Sequence, residues 1–163
     1  MKVNFFIEEC QTENILAPDF GICDSESGKA YVDLEDREKW VARVRNRSGN
    51  PINFTSIDNC VEIKRETGES DFRCDGMLSG NGLLIFVELK DQRGDWIQHA
   101  VWNQLFRTIN HFKESHPVDG YKKKFAYACN KRHPQFHSNK MDMMNEFRIK
   151  TGFRLLIVNE IVI

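Results

Sequence analysis

Residues 71–96, DFRCDGMLSGNGLLIFVELKDQRGDW, constrain the fold more than any other part of this 163-residue chain. Two apolar segments are separated by SGNG at positions 79–82, and Gly and Asn readily adopt the positive φ angles of a hairpin turn. The second segment, GLLIFV, is almost continuously apolar, which is typical of a strand that is buried on both faces. The stretch therefore predicts a β-hairpin inside a sheet.

Charged residues lie at the ends of these two predicted strands. Asp75 belongs to the first, and Glu88-Leu89-Lys90 ends the second. By strand alternation, Glu88 and Lys90 point to one face and Leu89 to the other. Because desolvating an unpaired carboxylate is costly, we expect a metal ion or a partner beside them. The alternative is an ordinary salt bridge at a surface strand end.

The spacing of these residues suits a site with two carboxylates and an amine across a hairpin. Twelve residues separate Asp75 from Glu88, and one separates Glu88 from Lys90. Two hard carboxylates favour Mg²⁺ or Mn²⁺, which keeps several waters and binds the phosphate oxygens of a substrate. The spacing also arises by chance in ordinary chains. The position of both carboxylates at the ends of apolar runs is what supports the prediction.

Several short motifs around the hairpin resemble the PD-(D/E)XK nuclease superfamily, above all its small bacterial members. The motifs are D-x-C-V at 58–61, R-C-D at 73–75, V-E-L-K at 87–90, and Ala100, Gln104-Leu105 and Thr108-Ile109 in the next predicted helix. The resemblance covers residues 58–110 well and the following strand and helix more loosely. Cys74 replaces the Pro that names the superfamily, a position that does not contact the metal ligands.

The resemblance implies an α/β fold with a restriction-endonuclease-like αβββαβ core. It also implies Mg²⁺- or Mn²⁺-dependent hydrolysis of phosphodiester bonds, with DNA as the expected substrate. Asp75, Glu88 and the backbone carbonyl of Leu89 would hold the metal. Lys90 would orient or deprotonate the attacking water, or neutralise charge at phosphorus.

Gln104 is a further candidate for the site. A helix is predicted from about 96 to 115, and Gln104 lies seven residues after Ile97, within about 20° of its buried stripe. A polar amide at this position requires a partner. Either Gln104 reaches the site and binds a carboxylate, water or substrate, or it is a satisfied core amide.

Asp58 is the candidate for an auxiliary metal or water ligand, because it matches the D-x-C element of the resemblance. It would precede a first strand over 60–66, CVEIKRE, which alternates between apolar and polar residues. Glu35 and Glu38, on a helix predicted over 34–47, are the alternatives. That helix is itself open to a second interpretation, since KWVARV within it could form a strand.

The remaining elements complete a mixed central sheet flanked by helices on both faces. They are a strand over 122–130, a helix from about 139 that Thr151-Gly152 ends, and one long or two short strands over 153–163. The strand that carries Glu88 should run parallel to the 122–130 strand. We expect one domain, 1–163, with its core from about 34, whereas residues 1–33 could form a strand, a loop or a partner-facing arm.

Composition indicates a soluble protein without membrane segments. Hydrophobic residues make up 40% of the chain and the net charge is −1. No apolar stretch approaches the length of a membrane span, and the first ten residues run into acids too early for a signal peptide. These features predict a cytoplasmic location. In that setting the five cysteines should be reduced thiols rather than a disulfide framework.

Charge is unevenly distributed and indicates a nucleic-acid-binding face. Residues 1–38 contain three Lys/Arg against ten Asp/Glu, whereas residues 107–150 contain ten against four. Lys131 and Arg132 follow the carboxyl end of the 122–130 strand, where they should lie beside Lys90 and contact phosphates. Lys122 to Lys124 begin the same strand and should form a solvated face at the opposite edge.

Other functions remain open at this point. Cys129-x₃-His133-x₃-His137 has zinc-ligand residues, but Pro134 would interrupt a helix that aligned them. A catalytically inactive module of the same fold could bind nucleic acid, and an immunity-type protein could use its acidic N-terminal part to bind a protein partner. No residue pattern predicts base recognition, so sequence specificity would be absent or would be supplied by a partner protein or by the second subunit of a homodimer. Two such domains would be needed to cut both strands at once.

Overall fold

The computed structural model describes residues 2–132 and 140–163, which form two mixed β-sheets and two α-helices. The strands are β1 (Gln11–Ile15), β2 (Asp19–Cys23), β3 (Tyr31–Asp33), β4 (Ala42–Arg45), β5 (Ile52–Ser56), β6 (Gly76–Gly80), β7 (Leu83–Lys90), β8 (Lys123–Asn130), β9 (Arg154–Leu156) and β10 (Glu160–Val162). The six-stranded sheet has the order β1-β5-β6-β7-β8-β9, and the four-stranded sheet has the order β10-β4-β2-β3. The general α/β class is confirmed.

The predicted hairpin lies in the middle of the six-stranded sheet. β6 and β7 pair antiparallel, and the two-residue turn Asn81-Gly82 joins them with φ angles of 47° and 78°. Only residues that tolerate positive φ fit such a turn. β7 also pairs with β8 in parallel along the full length of both strands, as predicted.

β7 is buried on both faces, and each face meets a different layer. Leu84 and Phe86 belong to a core that both helices share, whereas Ile85 and Val87 belong to a core shared with the four-stranded sheet. The prediction of helices on both faces is therefore wrong. The small sheet covers the second face because its own strands each carry one apolar side that must be buried.

Two of the three predicted helices are formed, those after β7 and after β8. Residues 97–115 are continuously helical, with a π-helical segment at His99–Leu105 followed by α1 (Phe106–Ser115). α2 (Met141–Thr151) ends at Gly152, whose φ of 80° is the left-handed conformation typical of a helix C-terminus. No helix in residues 2–132 and 140–163 is long and apolar enough to cross a membrane.

The helix predicted over 34–47 is wrong, and the strand alternative is correct. A 3₁₀ turn spans Arg37–Lys39, and β4 covers Ala42–Arg45. Burial alternates along β4, with Val44 fully buried, as expected for a strand with one core-facing side. The Arg43 guanidinium donates two hydrogen bonds, of 2.8 and 2.9 Å, to Asp19 on the neighbouring β2.

The strand predicted over 60–66 is also wrong. The strand that pairs with β6 is β5, earlier in the chain, and a turn follows it in which Val61 N–H donates to the Ile57 carbonyl at 2.8 Å. Val61 and Ile63 are buried in the helix-side core, and Glu62 between them is exposed. Burial alternates here because an irregular segment packs along the core, not because the segment joins the sheet.

Residues 2–33 are part of the fold, so the core extends beyond the expected 34–163. β1 is an edge strand of the six-stranded sheet, and β2 and β3 belong to the smaller one. Phe5 is fully buried in the helix-side core, and Phe20 is fully buried between the sheets.

Cys10 and Cys60 form a disulfide between the turn before β1 and the turn after β5. The prediction of reduced thiols is wrong for this pair, whereas Cys23, Cys74 and Cys129 are free and buried. Fifty residues of sequence separate the bonded cysteines. Only the folded chain brings them together.

The last residues form two short strands that belong to different sheets. β9 pairs in parallel with β8, and β10 pairs in parallel with β4. The C-terminal segment therefore connects the two layers, which agrees with the prediction of two short strands.

Candidate active site

The hairpin brings Asp75 and Glu88 together at one end of its two strands, in the middle of the sheet. Asp75 precedes β6, and because Gly76 pairs with Val87, Asp75 lies opposite Glu88. The Leu89 N–H donates a 2.7 Å hydrogen bond to Asp75 Oδ2, which ties the two strands together at this point. Asp75 is 7% exposed and Glu88 1%. The two carboxylates thus lie together and are withdrawn from water.

Lys90 lies on the same face. Its Nζ is 3.1 Å from Glu88 Oε2, and Leu89 packs on the other face in the core between the sheets. Glu88 Oε1 is buried and has no hydrogen-bond partner in the described part of the chain. A buried polar atom without a partner costs about 1–3 kcal/mol, and more when charged. The position is therefore suited to a cationic ligand.

The electrostatics of the pair follow from burial. Burial and the charge of Asp75 raise the pKa of Glu88 well above its usual range, and the Lys90 ammonium only partly opposes this. Burial also raises the pKa of Asp75, to which the charge of exposed Asp24 adds a smaller increase. The contact between the two carboxyl groups acts in opposite directions, since it lowers the pKa of Asp75 and raises that of Glu88. A divalent cation beside the pair would favour the ionised form of both groups.

The donor set fits a hard divalent cation in type and number. Within residues 2–132 and 140–163, no group of three or more His, Cys, Asp or Glu side chains is arranged to hold a metal ion. Mg²⁺ commonly uses one or two carboxylates and completes its coordination with waters and substrate phosphates. Asp75 and Glu88, with the unpartnered Oε1, match that requirement, whereas structural zinc needs four protein ligands.

The alternative zinc motif falls partly outside the described residues, which exclude His133 and His137. Cys129 is fully buried, and its Sγ donates to the Val158 carbonyl at 3.2 Å. Burial raises the pKa of the Cys129 thiol, which opposes formation of the thiolate that binds zinc.

Gln104 lies in the π-helical segment, which packs against β7 and β8. Its Oε1 is buried and has no hydrogen-bond partner among residues 2–132 and 140–163, so a satisfied core amide is not observed. The wider π turn changes which side chains face the sheet, and such turns are frequent at functional sites. This oxygen is available to a water or a ligand.

Thr108 connects the helix with the strand segment that carries Asp75. Its Oγ1 accepts a 2.8 Å hydrogen bond from Cys74 N–H and donates one of 2.7 Å to the Gln104 carbonyl. Thr108 and Cys74 are both fully buried. Burial raises the pKa of the Cys74 thiol, which is typical of a small buried side chain rather than of a nucleophile.

Asp58 lies in the turn after β5 instead of before a strand. Its Oδ1 is 2.9 Å from Arg73 Nε, and the N–H of the preceding residue, Ile57, donates to the Asp75 carbonyl at 2.8 Å, which places Asp58 near Asp75. The charge of Asp58 raises the pKa of Asp75 slightly. The alternatives Glu35 and Glu38 are exposed around the 3₁₀ turn. Among the auxiliary candidates, Asp58 is thus the one whose charge acts on Asp75.

The backbone of Lys131 lies beside Lys90, as the parallel pairing of β7 and β8 predicts, and the Lys131 side chain donates a hydrogen bond to the Glu38 carbonyl. Lys131 N–H donates to the Lys90 carbonyl at 2.8 Å, and Arg132 Nε is 3.0 Å from exposed Asp91. Both side chains are exposed. Lys122 to Lys124 lie at the other end of β8, far from the carboxylate pair along the strand.

A buried ion cluster around Asp71 escaped sequence analysis. Its carboxylate accepts hydrogen bonds from Arg107 (2.6 and 2.8 Å) and Arg65 (3.2 Å), and its Oδ2 lies 2.7 Å from His111 Nε2. Burial opposes ionisation of Asp71, but the hydrogen bonds from Arg107 and His111 outweigh it and hold the pKa well below its usual range. The cluster fastens the segment before Asp75 to α1.

Asp71→Asn should lower the free energy of unfolding by about 2–4 kcal/mol at neutral pH, because it leaves the cationic partners without their counter-charge. Since the folded pKa of Asp71 is depressed, its contribution is present above the unfolded value of about 3.9 and is lost as pH falls below it. Urea unfolding of both proteins should therefore show a difference at neutral pH that shrinks in acid. Exposed Asp119→Asn is the control, and an equal effect there would contradict the assignment.

The structure thus brings Asp75, Glu88 and Lys90 together at the end of the central hairpin, with Gln104 on the helix above the strand and Asp58 nearby. The chain was compared with protein-family models, with curated proteins and with solved structures. None of these comparisons gave a match.

Proposed function

We propose that this protein is a Mg²⁺- or Mn²⁺-dependent nuclease of the PD-(D/E)XK type that hydrolyses phosphodiester bonds, with DNA as the expected substrate. The observation that carries the proposal is the buried pair Asp75 and Glu88 with Lys90 Nζ 3.1 Å from Glu88 Oε2. The order of β5, β6, β7, the helix and β8 supports the βββαβ part of the proposed core. The helix expected before it is replaced by β4.

Asp75 and Glu88 would hold the cation, with the Leu89 carbonyl as a third oxygen. When bound, the cation supplies Lewis-acid polarisation of the phosphoryl oxygen and neutralises charge that develops in the transition state. Lys90, held by Glu88, donates hydrogen bonds that orient the attacking water or stabilise the phosphoryl oxygens. Gln104 Oε1 accepts a hydrogen bond from that water or from the substrate.

Incubation of the purified protein with supercoiled plasmid, linear duplex, single-stranded DNA and RNA tests the proposal. We expect cleavage with Mg²⁺ or Mn²⁺, none with chelator, and none by Lys90→Ala, while Lys122→Ala at the opposite edge cuts normally. Failure to cut any substrate, or normal cleavage by Lys90→Ala, would reject the proposed nuclease activity at this site. Binding without cleavage would instead indicate an inactive nucleic-acid-binding module.

Asp58→Ala should weaken Mn²⁺ binding measured by calorimetry by roughly 10-fold, the range seen for residues that support metal ligands. The physical reason is loss of a negative charge near Asp75 together with release of Arg73. Exposed Glu62→Ala, four residues on, removes the same charge type at a position whose carboxylate pairs with Lys64 instead. Equal affinities for wild type and Asp58→Ala would exclude Asp58 as an auxiliary group.

Replacing Lys131 and Arg132 by Ala should flatten the salt dependence of DNA binding by about two phosphate contacts, whereas Lys122→Ala should change it little. This is expected because Lys131 and Arg132 follow the end of β8 that lies beside Lys90, whereas Lys122 precedes the opposite end of that strand. Fluorescence anisotropy at several salt concentrations gives the slopes. The reverse pattern would place the nucleic acid at the opposite edge of the sheet.

A further inference from the structure

Phe72 is an exposed aromatic residue three positions before Asp75. Its side chain is 42% exposed, yet the chain on both sides of it is fixed. Asp71 is held in its ion cluster and accepts a 2.8 Å hydrogen bond from Phe72 N–H, and Arg73 pairs with Asp58. The fold thus holds an apolar ring at the surface in a defined position.

His99 connects this ring with the candidate active site. The Phe72 and His99 ring centroids are 5.1 Å apart with an interplanar angle of 89°. Nδ1 of His99 lies 2.8 Å from the Asn103 amide nitrogen, which fixes the imidazole plane. The helical segment that His99 begins packs against β7, the strand that carries Glu88 and Lys90.

Arg65 supplies positive charge at the same place. Its guanidinium carbon is 5.4 Å from the Phe72 ring centroid, and its side chain is 37% exposed. Arg65 also lines a cavity of about 610 Å³ beside α1, with Lys64, Phe106, Arg107, Asn110 and His111. Glu66 and Glu114 line it too, so we assign phosphate contact to Arg65 and not to the cavity as a whole.

We propose that Phe72, His99 and Arg65 bind the unpaired nucleotide next to the cleaved phosphate, and hence that the substrate is single-stranded nucleic acid. This inference rests on the nuclease function proposed above. A base can stack on an exposed aromatic ring with about 1–3 kcal/mol per base, whatever its sequence. In a duplex the faces of the bases are covered by neighbouring pairs, so a ring beside the backbone cannot reach them. Arg65 then contacts the adjoining phosphate.

Binding in the presence of chelator tests this independently of cleavage. Fluorescence anisotropy would compare a labelled single-stranded DNA, the RNA of the same sequence and the corresponding DNA duplex. We expect the single strands to bind more tightly than the duplex. Comparison of the DNA and RNA strands of the same sequence shows whether deoxyribose or ribose is preferred. Phe72→Ala should weaken single-strand binding by about 5- to 150-fold, and Phe72→Trp should retain it.

Phe6→Ala is the matched control, because Phe6 is also an exposed phenylalanine, at 37%, but packs beside Phe112 and His116. It should bind single strands as wild type does, and circular dichroism should confirm that both Ala variants are folded. Normal single-strand binding by Phe72→Ala, or equally tight binding of the duplex, would overturn the inference while leaving cleavage intact. If binding depends on Phe72 but no metal-dependent cleavage is found, the proposed single-strand binding surface would be supported and the proposed nuclease activity would be rejected.

Discussion

Glu88→Gln should abolish metal-dependent cleavage and at the same time stabilise the metal-free protein. Gln keeps the volume of the side chain but removes a metal ligand and a buried carboxyl group that is costly to ionise. Cleavage should fall by on the order of 10³-fold, as for loss of a principal charge-stabilising group. The free energy of unfolding should rise by about 1–3 kcal/mol, since a buried charge facing Asp75 is replaced by a neutral amide.

The pH dependence of that stabilisation has a defined sign. The folded pKa of Glu88 is raised, so the unfolded chain ionises more readily, and wild type loses stability as pH rises from the unfolded value towards the folded one. The advantage of Glu88→Gln should therefore grow as pH rises above the unfolded pKa of about 4.3. Thermal unfolding in chelator at several pH values measures it.

Glu13→Gln is the control, because Glu13 is an exposed acid on the edge strand β1. It should change neither cleavage nor stability. Normal cleavage by Glu88→Gln would exclude Glu88 as a metal ligand. A variant that is less stable than wild type at neutral pH, with chelator present, would show that the Glu88–Lys90 ion pair outweighs the repulsion between the carboxylates.

Reduction of the Cys10–Cys60 disulfide should lower the free energy of unfolding by about 4 kcal/mol. The bond closes a loop with a sequence separation of 50 residues, and a cross-link of that length restricts the unfolded chain by roughly this amount. Denaturant unfolding with and without reductant measures the effect. Cys10→Ser/Cys60→Ser should resemble the reduced wild type and should not respond to reductant, which makes it the control.

An unfolding midpoint that does not move on reduction would show that the bond is not formed in solution. The result also bears on the location of the protein. Disulfides persist in oxidising compartments and are rare in the cytosol, where glutathione and thioredoxin keep thiols reduced. The cytoplasmic location expected from composition would favour the reduced, less stable form.

The central hairpin and its charged end could be predicted from sequence because their signals are local. A turn residue pair with positive φ, an apolar run and strand alternation place Glu88 and Lys90 on one face without reference to the rest of the chain. The signals for the helix over 97–115 and for the end of α2 at Gly152 are also local, since hydrophobic periodicity and capping act within a few residues.

The sequence-based predictions were wrong in two segments whose residue pattern fits more than one kind of structure. Segment 34–47 has helical spacing, but β4 forms there because it pairs with β2 and β10 on either side. Segment 60–66 alternates like a strand, but β5 already occupies the position beside β6. Pairing with distant strands outweighs intrinsic preference in both cases.

The carboxylate pair, its lysine and the strand on which they lie could be identified from local sequence patterns. The residues that surround them depend on how the sheets and helices pack. Asp71 meets Arg107 and His111 across 36 and 40 residues, and Cys10 meets Cys60 across 50. Side chains far apart in sequence become neighbours only when the sheets and helices pack, and local periodicity does not predict these long-range contacts.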